Sequence, residues 1–416
     1  MLDIQWIKNN QEEFNNFLIK RGIKDINIEI IIKLYDSKKK IENEIQILQR
    51  ERNKNSTTLT TTSNIKIRQK QINKKISHLK TELKVVKKKL DDTLNNIPNI
   101  PKAEVPHGIN QENNLLVRKS LCHIKKNKST FHIDIAQTLG MIENEKTTFM
   151  SGSRFVTLKN QLAKLKRALI NFMLDTHIKE FGFEEIDPPY LVKDHAMYNA
   201  GQLPKFDKDS FYTTRKDRLI PTAEVPLINL FANTTTEKKD LPIRLVSSTM
   251  CFRSEAGSAR KDTKGMIRLH QFSKVELVSI CTPQESEKEL QYILNAAEII
   301  LEKLQLPYKT MLLCSQDMPF SSEKTYDIEV WMPGQDKYKE ISSCSSCSDF
   351  QARRLNAKYN DIKQKKNTYV NTINGSALAI ERTIASILEN YFSENTLYIP
   401  KVLQKYMEVE KISIEN

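Results

Sequence analysis

This sequence of 416 residues has few of the features that mark secreted or membrane proteins. Its six cysteines are too few and too scattered for a disulfide framework. No stretch approaches the ~18 consecutive apolar residues that a membrane-spanning helix needs. The first residues (MLDIQW) lack the basic and apolar regions of a signal peptide. We therefore expect a cytoplasmic protein without a membrane-spanning segment.

Two of the cysteines, Cys344 and Cys347, form a CxxC pair, which is half of a typical zinc site. A structural zinc site needs two further ligands at matching spacing. Neither a second CxxC nor an HxxxH follows in the sequence. We interpret both residues as reduced thiols that bind no metal.

The net charge of +14 is concentrated in one segment. Residues 31–97 carry 17 Lys and Arg against 7 Asp and Glu, so about a sixth of the chain holds +10 of the +14. A local basic excess is typical of a surface that binds a polyanion. Compositional drift is the alternative, since the chain is rich in Lys, Asn and Ile, but drift would spread the charge. We favour a nucleic-acid partner.

The same segment has the apolar spacing of a helical hairpin. Its second half repeats apolar residues at spacings of four and three, which is the heptad pattern of a coiled coil. The positions are Ile31, Leu34, Ile41, Ile45 and Leu48, with Lys38 interposed, and then Ile72, Ile76, Leu79, Leu83, Val86 and Leu90. Residues 55–64 (NSTTLTTTSN) predict the turn. The lysines fall outside the apolar positions, which fits a solvated face or an RNA-contacting one.

Prolines divide the chain after the hairpin. Pro98, Pro101 and Pro106 lie within nine residues and predict a linker at 101–110. We expect an N-terminal domain at 1–100, with the hairpin at about 31–97, and a domain of strands and helices at 111–416. Within the latter, residues 154–182 resemble an amphipathic helix closed by a glycine, and residues 326–332 alternate as a half-buried strand.

Two runs predict a β-hairpin that carries chemistry. Residues 252–258 (FRSEAGS) and 268–276 (RLHQFSKVE) flank a polar, glycine-containing loop. Strand alternation would place Arg253 and Glu255 on one face, and Phe272 and Glu276 on one face. An arginine, carboxylates and an aromatic ring suit a nucleotide, because they bind phosphate, an exocyclic amine and a base. A surface ladder of ion pairs is the alternative.

These residues resemble a known family. The hairpin is similar to motif 2 of class II aminoacyl-tRNA synthetases, in the form typical of seryl-tRNA synthetases. Residues 182–191 (GFEEIDPPYL) are similar to motif 1, with Pro189 at its proline, and residues 374–383 (NGSALAIERT) to motif 3. The helical hairpin and residues 222–227 (TAEVPL) also fit that family, so the resemblance covers essentially the whole chain.

The resemblance implies an α+β fold, a mostly antiparallel sheet flanked by helices and preceded by an antiparallel coiled-coil arm, in a homodimer. It implies a ligase that uses ATP and Mg²⁺ to activate serine and esterify it to the 3′ end of serine tRNA. The N-terminal domain would bind the long variable arm of that tRNA. Whether selenocysteine tRNA is also charged stays open.

The resemblance also assigns roles to residues. Arg253 would contact the ATP α-phosphate and Arg382 the γ-phosphate, as the catalytic pair. Glu255 would accept from the adenine amino group, and Phe272 would stack on the ring. The implied ATP site comprises Arg253, Ser254, Glu255, Phe272, Glu340, Ile341, Ser342, Ser343 and Arg382. Glu340 and Ser343 would ligate Mg²⁺, which prefers oxygen donors, although spacing alone does not choose between the adjacent serines.

The implied serine site comprises Thr222, Ala223, Glu224, Glu276 and Ser376. Two carboxylates and two hydroxyls suit a small zwitterion that carries a hydroxyl. A site that hydrogen-bonds such a hydroxyl rejects the analogue lacking it by ~10⁴ or more. Taken singly, Thr222 and Ser376 have an alternative role in turns or caps. We expect Glu276 to be an exposed polar residue.

Glu381 departs from the family pattern, which usually has glycine there. On a helix it points ~100° away from Arg382. It either faces elsewhere or pairs with Arg382 and weakens the γ-phosphate contact. The Thr-rich turn of the hairpin is a second departure.

Two other classes of protein share some of these sequence features. A threonyl or prolyl synthetase is one, but a threonyl site would need zinc ligands, and no such Cys/His set is visible. A non-enzymatic coiled-coil protein that binds RNA or acts as a scaffold, with a decayed synthetase domain, is the other. Decay is disfavoured because the motif residues are intact: Arg253, Glu255, Phe272, Glu340 and Arg382.

Overall fold

The computed structural model describes residues 1–57, 63–122, 130–256, 265–361 and 366–413. The chain divides into two compact units, Met1–Pro98 and Asn99–Asn416. The middle of the predicted Thr-rich turn and residues 257–264 of the predicted β-hairpin loop lie outside the described residues. In the part of the chain that is described, no helix combines the length and apolar character needed to cross a membrane.

The first unit contains the predicted helical hairpin. Its helices are α1 (Ile4–Asn9), α2 (Gln11–Lys20), α3 (Ile28–Thr57) and α4 (Ser63–Leu94). Glu51 of α3 pairs with Arg68 of α4 at 2.6 Å, and Glu44 pairs with Lys75 at 2.7 Å. From the first ion pair to the second, the residue number falls by seven in α3 and rises by seven in α4, so the two helices are antiparallel. Both continue into the segment predicted as turn, because intrinsic propensity is a weak guide to helix ends.

The apolar positions of the heptads meet between α3 and α4. Ile41, Ile45 and Leu79 are buried together, and Leu48, Leu83 and Val86 pack against them half-buried. Lys38 occupies its predicted place among them, with its ammonium 3.7 Å from Glu42. The lysines between these positions, among them Lys80, Lys84 and Lys87, are exposed. The pairing confirms the coiled-coil arm.

The second unit contains the strands and the other helices. The helices are α5 (His132–Thr138), α6 (Glu145–Ser151), α7 (Asn160–Phe181), α8 (Asp194–Asn199), α9 (Glu224–Asn229), α10 (Ser286–Lys303), α11 (Phe350–Leu355), α12 (Ile380–Tyr391) and α13 (Lys401–Met407). The strands are β1 (Leu115–Lys119), β2 (Ile142–Glu143), β3 (Thr157–Leu158), β4 (Glu184–Glu185), β5 (Leu191–Val192), β6 (Arg218–Leu219), β7 (Thr235–Glu237), β8 (Ile243–Phe252), β9 (Gln271–Cys281), β10 (Tyr308–Leu312), β11 (Lys324–Met332), β12 (Lys337–Ser346), β13 (Lys358–Asp361), β14 (Lys366–Tyr369), β15 (Asn371–Ala379), β16 (Phe392–Ser393), β17 (Thr396–Tyr398) and β18 (Lys411–Ser413).

An eight-stranded sheet organises this unit, in the order β1-β10-β11-β12-β15-β9-β8-β4. Every neighbouring pair is antiparallel except β4 and β8, which run parallel. This mostly antiparallel sheet with flanking helices confirms the expected fold class.

The two faces of the central strands differ in polarity. In β11, Tyr326, Ile328 and Val330 are buried in an apolar core with residues of α7, α10 and α12. Asp327 and Glu329 point to the other face because strand side chains alternate. This confirms the predicted half-buried strand, and it leaves a polar sheet face on which chemistry can take place.

The predicted helix over residues 154–182 is correct at its end and wrong at its start. Gly182 closes α7 with φ 64, the left-handed conformation that glycine adopts readily. The helix begins only at Asn160, because Arg154 has φ 63 and Thr157–Leu158 pairs with Ile142–Glu143 as a short strand. Apolar spacing alone could not reveal this strand pairing.

The predicted linker at 101–110 belongs to the second unit. The amide of Lys102 donates to the Glu323 carbonyl at 2.9 Å, and its ammonium lies 3.0 Å from Glu287. The carbonyl of Pro106 accepts from the Ser315 amide at 2.9 Å. The first unit's last helix ends at Leu94, before the first of these prolines, and the segment 101–110 packs on the second unit.

Candidate active site

Two adjoining clefts open on the polar sheet face. The first, of about 510 Å³, is lined by Arg253, Glu255, residues 266–269, Phe272, Lys274, Glu340, Ile341, Ser376, Ala379, Glu381 and Arg382. The second, of about 1220 Å³, shares Arg253, Glu255 and Arg268 with it and adds Thr222. Six of the nine residues that the resemblance assigned to ATP thus line the first cleft, and of the residues assigned to serine, Ser376 lines the first cleft and Thr222 the second.

Arg253 and Phe272 are neighbours at the end of the β8–β9 hairpin. β8 ends at Phe252, but the ladder continues one step, because the Arg253 amide donates to the His270 carbonyl at 2.9 Å. Cys251 lies opposite Phe272, and side chains two residues apart share a face. The Arg253 guanidinium accordingly lies 5.3 Å from the centre of the Phe272 ring.

Glu255 reaches the cleft by a different route from the predicted one. Its φ of 52 is left-handed, so the strand alternation assumed for Arg253 and Glu255 is wrong here. One carboxylate oxygen of Glu255 accepts from Arg268 at 2.6 Å, which holds it beside the cleft. Ser254 between them is engaged elsewhere, since its hydroxyl donates to the Lys208 carbonyl at 2.7 Å.

Arg382, in the first turn of α12, is fixed by two carbonyls. Its Nε donates to the Ile267 carbonyl at 2.9 Å, and Nη1 donates to the Glu340 carbonyl at 2.7 Å. The Glu340 carboxylate lies 3.4 Å from the same Nη1. The guanidinium is thus oriented along the cleft wall while part of it stays open to solvent.

Glu381 faces away from Arg382, as the first of the two alternatives had it. Its side chain is almost fully buried and lies 2.9 Å from the Lys166 ammonium of α7. Its second oxygen accepts from the Ser273 amide at 2.8 Å. The carboxylate therefore joins α7, α12 and β9, and it does not compete for Arg382.

The two serines after Glu340 point in different directions. The Ser342 hydroxyl is buried and donates to the Ser376 carbonyl at 2.6 Å. Ser343 lies opposite Asp327 in the β11–β12 ladder and hydrogen-bonds its carboxyl group. Asp327 is a residue that the sequence analysis missed, and its Oδ1 is buried without a hydrogen-bond partner. Burial raises the pKa of Asp327 well above its usual range.

The residues that the resemblance assigned to serine are grouped around a lysine. The Lys274 ammonium lies 2.5 Å from Oε2 of Glu276 and donates to the Thr222 hydroxyl at 2.9 Å. The Ser376 hydroxyl donates to the same Glu276 oxygen at 3.4 Å. Glu276 is only 2% exposed, so the expectation of an exposed residue is wrong. Its strand is covered on both sides, which the alternating pattern did not reveal.

Glu224, the second carboxylate that the resemblance assigned to serine, lies at the start of α9 directly after the buried Ala223. It accepts from Gln351 at 2.6 Å and from Asn374 at 3.0 Å. The pKa of Glu224 is raised to about 7, because burial and, to a smaller extent, the charge of Glu276 raise it while the Gln351 hydrogen bond and the charges of Lys274 and Arg253 lower it.

Lys274, Gln351 and Asn374 were not assigned to the serine site from the sequence. Lys274 and Asn374 stand inside the quoted motifs, and their positions on the strands could have placed them. Gln351 had no such signal. It is fully buried on α11, and it also accepts from the Thr372 hydroxyl at 2.5 Å.

The cysteines of the CxxC pair are free, buried thiols. Burial raises the pKa of Cys344 to about 12 and raises that of Cys347 as well. Within the described ranges no group of three or more His, Cys, Asp and Glu side chains is arranged to hold a metal ion.

The sheet, the β8–β9 hairpin and the helix that carries Arg382 are those of a class II aminoacyl-tRNA synthetase core. Residues 210–391 match the family model described as tRNA synthetase class II core domain (G, H, P, S and T). Residues 1–101 match the seryl-tRNA synthetase N-terminal domain.

Individual relatives narrow the class. The chain is 50% identical to the serine–tRNA ligase of Rickettsia prowazekii over 98% of its own length and 97% of the relative's, and 51% identical to that of Orientia tsutsugamushi strain Ikeda, over 99% and 98%. The crystal structure of the Pyrococcus horikoshii seryl-tRNA synthetase complexed with ATP is 36% identical, covers both chains fully and superposes with a TM-score of 0.91. The chain belongs to the seryl-tRNA synthetase family.

Glu381→Gln tests the buried ion pair. We expect the free energy of unfolding to fall by about 1–3 kcal/mol, because the Lys166 ammonium loses its charged partner. Urea denaturation measures this. Glu408→Gln is the matched control. Glu408 lies 2.6 Å from Lys164, which is on α7 as Lys166 is, but the Glu408 side chain is 78% exposed. The control should change stability by less than about 1 kcal/mol, and equal losses in the two variants would contradict the assignment.

Proposed function

We propose that this chain activates serine with ATP, releasing diphosphate, and transfers the seryl group to the 3′ end of serine tRNA. The observation that carries the proposal is that two sets of residues adjoin. The residues suited to a nucleotide line the first cleft, and the hydroxyls of Thr222 and Ser376 line the two adjoining clefts, with the buried Glu276 carboxylate bonded to Ser376 behind them. The printed names of its relatives, serine–tRNA ligase and seryl-tRNA synthetase complexed with ATP, support the same activity.

ATP would lie along the first cleft. Phe272 offers a ring for the adenine, and Arg253 beside it is placed for the α-phosphate. Glu255, held by Arg268, offers a carboxylate to the adenine amino group. Arg382 lies further along the cleft and would contact the γ-phosphate. Because these side chains are held by hydrogen bonds before substrate arrives, little reorganisation is needed.

Magnesium is the cation that we propose for this site, with Glu340 and Ser343 as its ligands. The donor set is suitable, since carboxylate and hydroxyl oxygens are what Mg²⁺ prefers. The buried Oδ1 of Asp327, which lacks a hydrogen-bond partner beside Ser343, supports a cation nearby. When bound, Mg²⁺ would neutralise charge on the phosphates of ATP.

Serine would lie between Glu224, Glu276 and the hydroxyls of Thr222 and Ser376. Its ammonium needs carboxylate acceptors, and its own hydroxyl needs polar partners in a small space. The serine carboxylate then attacks the α-phosphorus of ATP, the bond to the β-phosphate oxygen breaks, and diphosphate leaves with charge stabilised by Arg253 and Arg382. The terminal ribose hydroxyl of the tRNA next attacks the carbonyl of seryl-adenylate and forms the ester, while the bond from that carbonyl carbon to the phosphate oxygen breaks and AMP and the hydroxyl proton are released. We assign no side-chain general base.

We also propose a homodimer, with motif 1 at the interface. Pro189 and Leu191 of this motif are exposed in the single chain and are therefore accessible to a second subunit. A fully active protein that sediments as a 48.3 kDa monomer at micromolar concentration would exclude the dimer. We also propose that the reaction takes place in the cytoplasm.

Serine-dependent ATP–diphosphate exchange tests the proposed activity. Exchange should proceed with serine and be far weaker with alanine or threonine, because the pocket's polar groups stay unpaired or its space is exceeded. Glu276→Gln should abolish most of it. Glu298→Gln is the matched control, since Glu298 is also a buried, ion-paired carboxylate, 2.9 Å from Arg118, but its partners Arg118 and Thr310 line neither cleft, whereas the partners of Glu276 do. Equal exchange with either competing amino acid would refute the pocket.

The arm, residues 31–97, is tested by removing it. The two helices carry exposed lysines and, at 30 and 32 residues, are each ~45 Å long, which suits a contact with the long variable arm of a tRNA. Replacing residues 31–97 by a short flexible linker should spare serine-dependent exchange and reduce tRNA charging by orders of magnitude. Normal charging, or loss of exchange in a folded protein, would contradict the role.

Charge reversal refines this test. Changing Lys80, Lys84 and Lys87 to Glu should give an intermediate loss of charging that low salt partly restores, because each phosphate contact contributes ~0.7–0.9 log units of affinity per log unit of salt. The exposed lysines of the second unit, Lys337, Lys401 and Lys411, are the matched control and should have little effect.

A further inference from the structure

A buried histidine and glutamate form a pair outside the proposed chemistry. His132, at the start of α5, and Glu389, near the end of α12, are both 0% exposed. The His132 Nδ1 lies 2.7 Å from Glu389 Oε1. The other carboxylate oxygen, Oε2, accepts from the Gly334 amide at 2.8 Å. The carboxylate is therefore held from two directions.

The protonation of this histidine follows from its third partner. The Met266 amide points at His132 Nε2, at 3.0 Å. An amide N–H can only donate, so Nε2 must be the unprotonated, accepting nitrogen of the ring. Nδ1 then carries the proton and donates it to Glu389. The carboxylate thus fixes the ring in the tautomer that can receive the Met266 amide.

The residue before Met266 has no room for a side chain. Gly265 has φ 90, and a Cβ atom there would lie 2.3 Å from His132 Nε2. Glycine both adopts this conformation and permits the close approach of the ring. The backbone of residues 265–266 and the imidazole are therefore fitted to each other.

The segment that His132 holds also holds the proposed γ-phosphate arginine. The carbonyl of Ile267, one residue after Met266, accepts from Arg382 Nε at 2.9 Å. Arg382 and Glu389 lie on one face of α12, because seven residues make about two turns. The helix therefore contacts residues 266–267 twice, directly through Arg382 and through His132 by way of Glu389.

We propose that His132, with Glu389, is a positioning residue for Arg382. It fixes the Met266 amide, so the next carbonyl, that of Ile267, stays where the Arg382 guanidinium needs it. The inference rests on the proposed function, in which Arg382 contacts the terminal phosphate of ATP. A pair that only stabilised the core would have no preference among nucleotides.

Nucleotide binding without turnover tests this role. Affinities for ATP with Mg²⁺ and for AMP are measured by titration calorimetry with serine absent, so no reaction occurs. In His132→Asn and Glu389→Gln, ATP affinity should fall about tenfold while AMP affinity changes little, because only ATP reaches Arg382. Tyr391→Phe is the control: it removes one hydrogen bond from α12, to the Leu304 carbonyl at 2.6 Å, and should alter neither affinity.

A double substitution distinguishes failure of this inference from failure of the proposed contact between Arg382 and the γ-phosphate. Arg382→Ala should lower the ATP affinity selectively, and adding His132→Asn should lower it little further, because both act through one contact. Additive losses, or equal weakening of ATP and AMP by His132→Asn and by Glu389→Gln, would overturn the positioning role alone. If Arg382→Ala left the ratio of ATP to AMP affinity unchanged, the γ-phosphate assignment would fail and this inference with it.

Discussion

The Lys274–Glu276 ion pair is the contact around which the rest of the site is arranged. Both residues lie on β9 and are nearly excluded from water, where an unpaired charge would cost several kcal/mol. Two residues apart on one strand, they project from the same face and can satisfy each other. The remaining donors and acceptors of the pair are met by hydroxyl groups from neighbouring segments, so one strand determines where those segments must lie.

The neighbouring strand is adjusted to this requirement. Ser376 stands directly opposite Glu276, and the pairing of β15 with β9 shifts register between Ser376 and Leu378. Such a bulge re-aims side chains beside a functional site. Thr222 lies in the loop before α9, and its hydroxyl accepts a hydrogen bond from the Lys274 ammonium. The hydroxyls that would select serine are therefore the same groups that stabilise the buried charges, which links the stability of the sheet to its specificity.

In the part of the cleft proposed for ATP, main-chain carbonyls rather than hydroxyl groups hold the charged side chain. Arg382 is oriented by the carbonyls of Ile267 and Glu340, and its neighbour Glu381 is turned into the protein by Lys166. Adjacent residues of one helix thus have different partners: Arg382 is held by carbonyls of the cleft wall, and Glu381 joins α12 to β9 and α7.

Features with a local cause could be predicted from the sequence. The heptads of the arm, the glycine that ends α7 and the alternation of β11 each depend on residues close in the chain. The motif residues were found through resemblance, and the structure brings several of them to the two adjoining clefts. The pairing of Glu381 with Lys166 and the His132–Glu389 contact join residues more than two hundred positions apart, and the burial of Glu276 depends on segments that pack over β9. Periodicity contains no information about such partners, and the left-handed backbone of Glu255 likewise has no local signature.

Proton linkage tests most directly whether Glu224 and Glu276 together receive the serine ammonium. With its pKa raised to about 7, Glu224 is mostly protonated at pH 6 in the free protein, and a bound ammonium would favour its ionised form. Calorimetric titration of serine in buffers of different ionisation enthalpy measures the protons exchanged. We expect release approaching one proton per site at pH 6 and falling toward zero at pH 8, with affinity rising over that interval. Binding of serine with no proton release at either pH would contradict the account.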